Sequence, residues 1–200
     1  MSLQAPQEIG VLTRRFTIPN LITSLRIALI PVFAFIFLSG RADRTAFVLL
    51  AVIGASDWID GFVARRTGQV SVLGKLLDPV ADRAAIMTVL LVLAFRGAIW
   101  WPLAAAILLR DLLVTIVFVV LESKGFPRLP VNRTGKAATF AIFAGMGLAV
   151  FSLAFSTPFE KQVEAASLAL LAMGAAMYWV AGALYLTELK RTETVNVTDS

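Results

Sequence analysis

Between Asp57 and Arg83 the chain reads DWIDGFVARRTGQVSVLGKLLDPVADR, and four of its thirteen acidic residues fall there. Asp57 and Asp60 are three apart, and Asp78 and Asp82 are four apart, so each pair shares one face of a helix. Two carboxylate pairs on consecutive helices can converge on one point, where mutual repulsion calls for bound cations. The residues between them leave room for a ligand. Gly61 removes a side chain beside Asp60 and opens the backbone to close approach. Ala64 and Arg65 set a small residue next to a guanidinium that can hold phosphate oxygens bidentately. Gly74 clears the helical face four residues before Asp78. Pro79 suits either a helix start or a kink that opens the wall beside the carboxylates. There is no histidine and no cysteine. Disulfides, thiolate and imidazole metal sites and the commonest general base are therefore excluded, and the chemistry rests on carboxylates, which favour magnesium or manganese.

The elements that must position these residues read as membrane helices. Of 200 residues 58% are hydrophobic and 16% charged, with a mean hydropathy of +0.83; soluble domains carry about 25% charged residues. Several apolar runs approach the ~20 residues that cross a bilayer. The pattern predicts an all-α integral membrane protein of six transmembrane helices, at about 21–38, 45–63, 76–95, 99–121, 136–156 and 163–187. A short interfacial amphipathic segment is expected over residues 6–16. Residues 1–189 read as a single membrane domain, and 190–200 as a polar, disordered tail.

The eighteen lysines and arginines orient the chain. One set of helix ends carries Arg14, Arg15, Arg65, Arg66, Lys75, Arg83, Lys124, Arg128, Arg133, Lys136, Lys190 and Arg191. The other carries Arg41, Arg44, Arg96 and Lys161. Arg26 and Arg110 fall inside predicted spans. Twelve against four places both termini and the acidic stretch on the cytoplasmic side, as a polar cavity facing the cytoplasm. Asp57 and Asp60 alone would suit solvated helix ends. An aspartate at mid-bilayer costs about 2.5–3.5 kcal/mol, however, and four deep unpaired ones would cost on the order of 10 kcal/mol. The complete spacing, with its glycines and arginine, favours a site.

That spacing, Asp57-x2-Asp60-Gly61-x2-Ala64-Arg65-x8-Gly74-x3-Asp78-x3-Asp82, matches the signature of the CDP-alcohol phosphatidyltransferase family at all eight fixed positions. The resemblance extends over roughly residues 14–187. It implies that Asp57, Asp60 and Asp78 ligate a pair of divalent cations, Mg2+ or Mn2+, and that Asp82 completes the shell while serving as the catalytic base. It implies that Asp57, Asp60, Gly61, Ala64 and Arg65 hold the CDP group, with Gly74 lining the same pocket. The implied reaction moves a phosphatidyl group from CDP-diacylglycerol to an alcohol with release of CMP. A bacterial-type cytoplasmic membrane, membrane-lipid partners, a homodimer and no nucleic acid follow from the same resemblance. Alanine-rich faces at Ala84, Ala85, Ala104, Ala105 and Ala106 could pack between chains or within one.

The acceptor is less legible. Asn20-x2-Thr23-x2-Arg26 and Arg110-Asp111 resemble phosphatidylglycerophosphate synthases, though Arg110-Asp111 also reads as a self-neutralised pair. Leu129-Pro130-Val131-x3-Gly135-Lys136-Ala137-Ala138-Thr139-Phe140 resembles bacterial cardiolipin synthases, with Ala138 standing where the other branch usually has a second lysine. The basic residues around this loop read most simply as positive-inside charge, with Lys136 the exception. Arg110, Arg133 and Lys136 are the acceptor-binding candidates. Phosphatidylglycerol is the favoured acceptor, glycerol 3-phosphate the alternative, and an inositol phosphate fits less well. A cation transporter is a distant alternative: it would place carboxylates at mid-membrane, often within an internal repeat, and no repeat is present.

Overall fold

The computed structural model describes residues 18–67, 72–123 and 133–198. They form six helices: α1 (Ile18–Ser39), α2 (Asp43–Thr67), α3 (Val72–Phe95), α4 (Trp101–Ser123), α5 (Arg133–Ala154) and α6 (Glu160–Thr198). The six expected helices are all found, within a few residues at most ends, and the interfacial segment expected at residues 6–16 lies outside the described residues. The last helix continues to Thr198, over most of the segment read as a polar tail. Among the described residues three stretches are long and apolar enough to cross a membrane: Asn20–Ser39, Thr134–Ala154 and Glu160–Ala183. The chain divides into two compact units, Met1–Val92 and Leu93–Ser200.

In the first unit α1 ends at Gly40, which has a φ of 63° and donates its N–H to the Phe37 carbonyl at 3.2 Å. A side chain would strain that left-handed turn. The turn folds α2 back against α1. The buried stripe of α1 runs Asn20, Thr23, Arg26, Ile30, Phe33 and Phe37, the i, i+3, i+7 rhythm of one helix face. Its first two turns are polar and the rest apolar, with Phe33 and Phe37 stacked at 5.5 Å. One end of this face is thus built for chemistry and the other for packing. Pro79 lies inside α3, seven residues from its start. The kink position is therefore the relevant one of the two roles expected for Pro79, because the helix already begins at Val72.

In the second unit Gly97 closes α3 with a φ of 72°. The N–H of Gly97 reaches the Ala94 carbonyl at 3.0 Å and that of Ala98 reaches the Leu93 carbonyl at 2.9 Å. This paired pattern satisfies carbonyls that the helix end would otherwise orphan. Helices α5 and α6 pack very closely. A β-carbon on Gly174 would stand 2.8 Å from Ile142 Cγ1 and 3.1 Å from the Ala138 carbonyl oxygen, and one on Gly145 would stand 2.8 Å from Leu171 Cγ. Ser167 donates to the Gly145 carbonyl at 3.0 Å. Small residues that admit the neighbouring backbone, joined by a hydroxyl bond, are how helices associate where apolar burial drives nothing. The outward faces agree: Leu21, Phe35, Trp100 and Phe140 are each more than 70% exposed, whereas Arg26 and Arg110 are buried. Apolar outside and charged inside is the pattern of a chain solvated by lipid.

Candidate active site

The polar half of α1 faces the carboxylates of α3. Thr23, fully buried, donates its hydroxyl to Asp78 Oδ1 at 2.6 Å. Arg26, 1% exposed, donates from Nη1 to Asp82 Oδ1 at 2.9 Å and from Nε to Ser56 Oγ at 3.2 Å. Ser56 in turn donates to the Ile53 carbonyl at 2.7 Å. Ser56 immediately precedes Asp57, so one guanidinium ties the α2 backbone at the first signature aspartate to the side chain of the last. Burying a guanidinium is tolerable only with such charge-assisted partners.

The register is regular. Arg26 stands thirteen residues before Ser39, Ser56 thirteen after Asp43, and Asp82 thirteen before Phe95. At 1.5 Å per residue, the three meet about 20 Å from the far ends of their helices. Thr23 with Asp78 and Arg26 with Asp82 advance together along α1 and α3, so these two helices run parallel with α2 antiparallel to them. This first unit therefore brings Arg26, Ser56 and Asp82 to one level, near the middle of α2 and α3 and in the first half of α1.

The remaining signature positions sit on the helices their spacing implied: Asp57, Asp60, Gly61, Ala64 and Arg65 on α2, and Gly74 on α3. Their side-chain surroundings, and those of Arg133, lie outside the described residues. Among the described residues no three acidic side chains converge as a metal cluster. Asp78 and Asp82 nonetheless fit a hard cation in their donor chemistry. Both are carboxylates on one face of α3, and Asp82 keeps 44% of its side chain exposed despite its bond to Arg26.

Of the acceptor candidates, all in the second unit, Arg110 is buried within its helical packing. Its Nε donates to the Tyr178 carbonyl of α6 at 3.0 Å, and its guanidinium lies 3.6 Å from the centre of the Tyr178 ring. Stacking of this kind suits a planar cation removed from water. Lys136 is exposed in the first turn of α5. Thr23, Arg26 and Ser56 were not among the site residues expected from sequence. The signal was present for two of them, since a threonine and an arginine at i and i+3 in an apolar helix have to face something polar.

The profile of the CDP-alcohol phosphatidyltransferase family matches residues 16–188. The chain belongs to this family. A Streptomyces coelicolor protein named cardiolipin synthase (CMP-forming) is 34% identical over 197 residues, covering 96% of this chain and 91% of its own. A Bacillus subtilis CDP-diacylglycerol–glycerol-3-phosphate 3-phosphatidyltransferase is 35% identical over 156 residues, 70% of this chain and 80% of its own. A Mycobacterium tuberculosis protein provisionally named as a cardiolipin synthase is 41% identical over 132 residues. That match covers 66% of this chain but only 63% of the relative's length.

Proposed function

We propose that this family member transfers a phosphatidyl group from CDP-diacylglycerol to a glycerol-type alcohol, with phosphatidylglycerol as acceptor and cardiolipin as product. The observation that carries the reaction is the placement of Asp78 and Asp82 at the end of a buried polar face formed by Thr23, Arg26 and Ser56. Asp82 is the base: it takes the proton of the acceptor hydroxyl as that oxygen bonds to the phosphatidyl phosphorus. The bond from phosphorus to the CMP oxygen breaks, and CMP leaves. Divalent cations held by Asp57, Asp60, Asp78 and Asp82 would neutralise the pyrophosphate and make its phosphorus more electrophilic. Arg65 and the open backbone at Gly61 and Gly74 receive the CDP group. Because a carboxylate is a weak base near a cation, Asp82 works chiefly through its position.

The same proposal places six spans in a bacterial-type cytoplasmic membrane, as a homodimer, with residues 1–189 as one catalytic domain. Both termini and the aspartates face the cytoplasm, where a nucleotide product can leave into water. Arg110, Arg133 and Lys136 are the acceptor-binding candidates.

Support for phosphatidylglycerol comes from Ala138 beside Lys136 and from the cardiolipin synthase that aligns along nearly its whole length. Glycerol 3-phosphate is the second reading, favoured by the Bacillus relative. The deciding experiment supplies CDP-diacylglycerol and magnesium with either acceptor to purified protein and identifies the lipid by mass spectrometry. Cardiolipin is expected; phosphatidylglycerophosphate as sole product would transfer the assignment to the second reading.

A further inference from the structure

We infer that Arg26 is a positioning residue for Asp82, fixing the direction in which that carboxylate faces the acceptor. The inference rests on the proposed role of Asp82 as base and adds a residue outside the eight-position signature. Arg26 is 1% exposed, so it is walled off from any substrate and acts through what it touches. Two of its bonds leave from different nitrogens, Nε to Ser56 on α2 and Nη1 to Asp82 on α3. The guanidinium is planar, so these two directions are fixed relative to one another. Ser56 is itself anchored to the Ile53 carbonyl. Asp82 is thus referenced through a rigid fork to the backbone of α2, one residue before Asp57. The bond occupies Oδ1 while the side chain stays 44% exposed, so the carboxylate is both held and accessible. A cation serving only to balance charge would need neither the fork nor the second helix.

Two variants, Arg26→Gln and Arg26→Lys, separate geometry from charge. Each is purified in detergent beside the wild-type protein, with thermal unfolding, Mn2+ affinity by electron paramagnetic resonance, and kcat and KM for CMP release measured on the same samples. Misplacing a reacting group by about 1 Å can cost a hundredfold. Arg26→Gln is expected to lose about a hundredfold in kcat, with KM for CDP-diacylglycerol within about threefold. Its Mn2+ affinity falls by about tenfold, the lower end of the range for a ligating carboxylate that loses its partner, because Asp57, Asp60 and Asp78 still hold the ion. Arg26→Lys retains the charge without the fork and recovers kcat only in part. Should Arg26→Gln fail to fold, Arg26→Lys alone still makes the comparison.

Full kcat in Arg26→Lys would reduce Arg26 to a charge balance and overturn the inference. So would unchanged kcat in Arg26→Gln, or parallel loss of kcat and Mn2+ binding, which would mark general support of the site. A wild-type protein that releases no CMP with either acceptor instead defeats the proposed reaction, and this inference with it.

Discussion

At the scale of single residues, the proposed site sets Asp78 and Asp82 in the grip of Thr23 and Arg26. Asp82→Asn keeps size and shape but removes the proton acceptor. It is expected to abolish CMP release while CDP-diacylglycerol still binds in the presence of magnesium. Equilibrium binding and single-turnover CMP formation on the same preparation test this, and near-normal turnover would remove Asp82 from the role of base. Thr23 makes a separate case. Its hydroxyl donates to Asp78 Oδ1 at 2.6 Å from a fully buried position. Thr23→Val removes the donor at nearly constant volume and frees Asp78 to turn. Partners of metal-ligating carboxylates typically contribute 10–100-fold in affinity, so Mn2+ binding should weaken by about tenfold. A Mn2+ titration that matches wild type would show that Asp78 needs no such support.

At the scale of elements, the helices were legible because long apolar runs separated by charged turns leave little alternative in lipid. The placing of Asp78 and Asp82 on one face of α3 was legible because they stand about one helical turn apart. The role of α1 was not, because Thr23 and Arg26 acquire meaning only from residues thirty or more positions away: Ser56, Asp78 and Asp82. Pro79 was ambiguous for a similar reason, since the start of α3 at Val72 follows a polar stretch without a clear stop. Tight packing of α5 on α6 was also unreadable, as the sequence does not distinguish a glycine that is needed from one that is tolerated. Gly174 and Gly147 illustrate the difference. A methyl on Gly174 would press on the Ala138 carbonyl, which cannot yield without moving α5, whereas nothing lies within 4 Å of one on Gly147. Gly174→Ala is therefore expected to destabilise by about 1–3 kcal/mol, the range of overpacked cores. Gly147→Ala should be neutral or stabilising by up to about 1 kcal/mol, through lower chain entropy. Thermal unfolding of the two in one detergent tests the pair, and equal melting temperatures would contradict the close approach.

At the scale of the whole molecule, the open question is which way the chain faces. The charge asymmetry of twelve against four rests on sequence. The first unit adds that its polar network lies at one level in three helices, about 20 Å from Ser39, Asp43 and Phe95. If the helix ends away from Ser39, Asp43 and Phe95 are cytoplasmic, the proposed six-span alternation puts Ser123, at the end of α4, on the cytoplasmic side. Ser39, at the end of α1, and Gln162, at the start of α6, lie on the opposite side. All three are exposed, and the chain contains no cysteine, so single cysteines can be introduced without altering the background. In intact bacterial cells a membrane-impermeant maleimide should label Ser39→Cys and Gln162→Cys, while Ser123→Cys should react only after permeabilisation. None of the three is a proposed site residue, so CMP release by each variant provides a check that the labelled protein is folded. The inverse labelling pattern would place the aspartates outside and separate them from a nucleotide substrate made in the cytoplasm. Labelling of all three in intact cells would contradict the six-span alternation itself, since Ser39 and Ser123 are separated by three helices and must then face opposite sides.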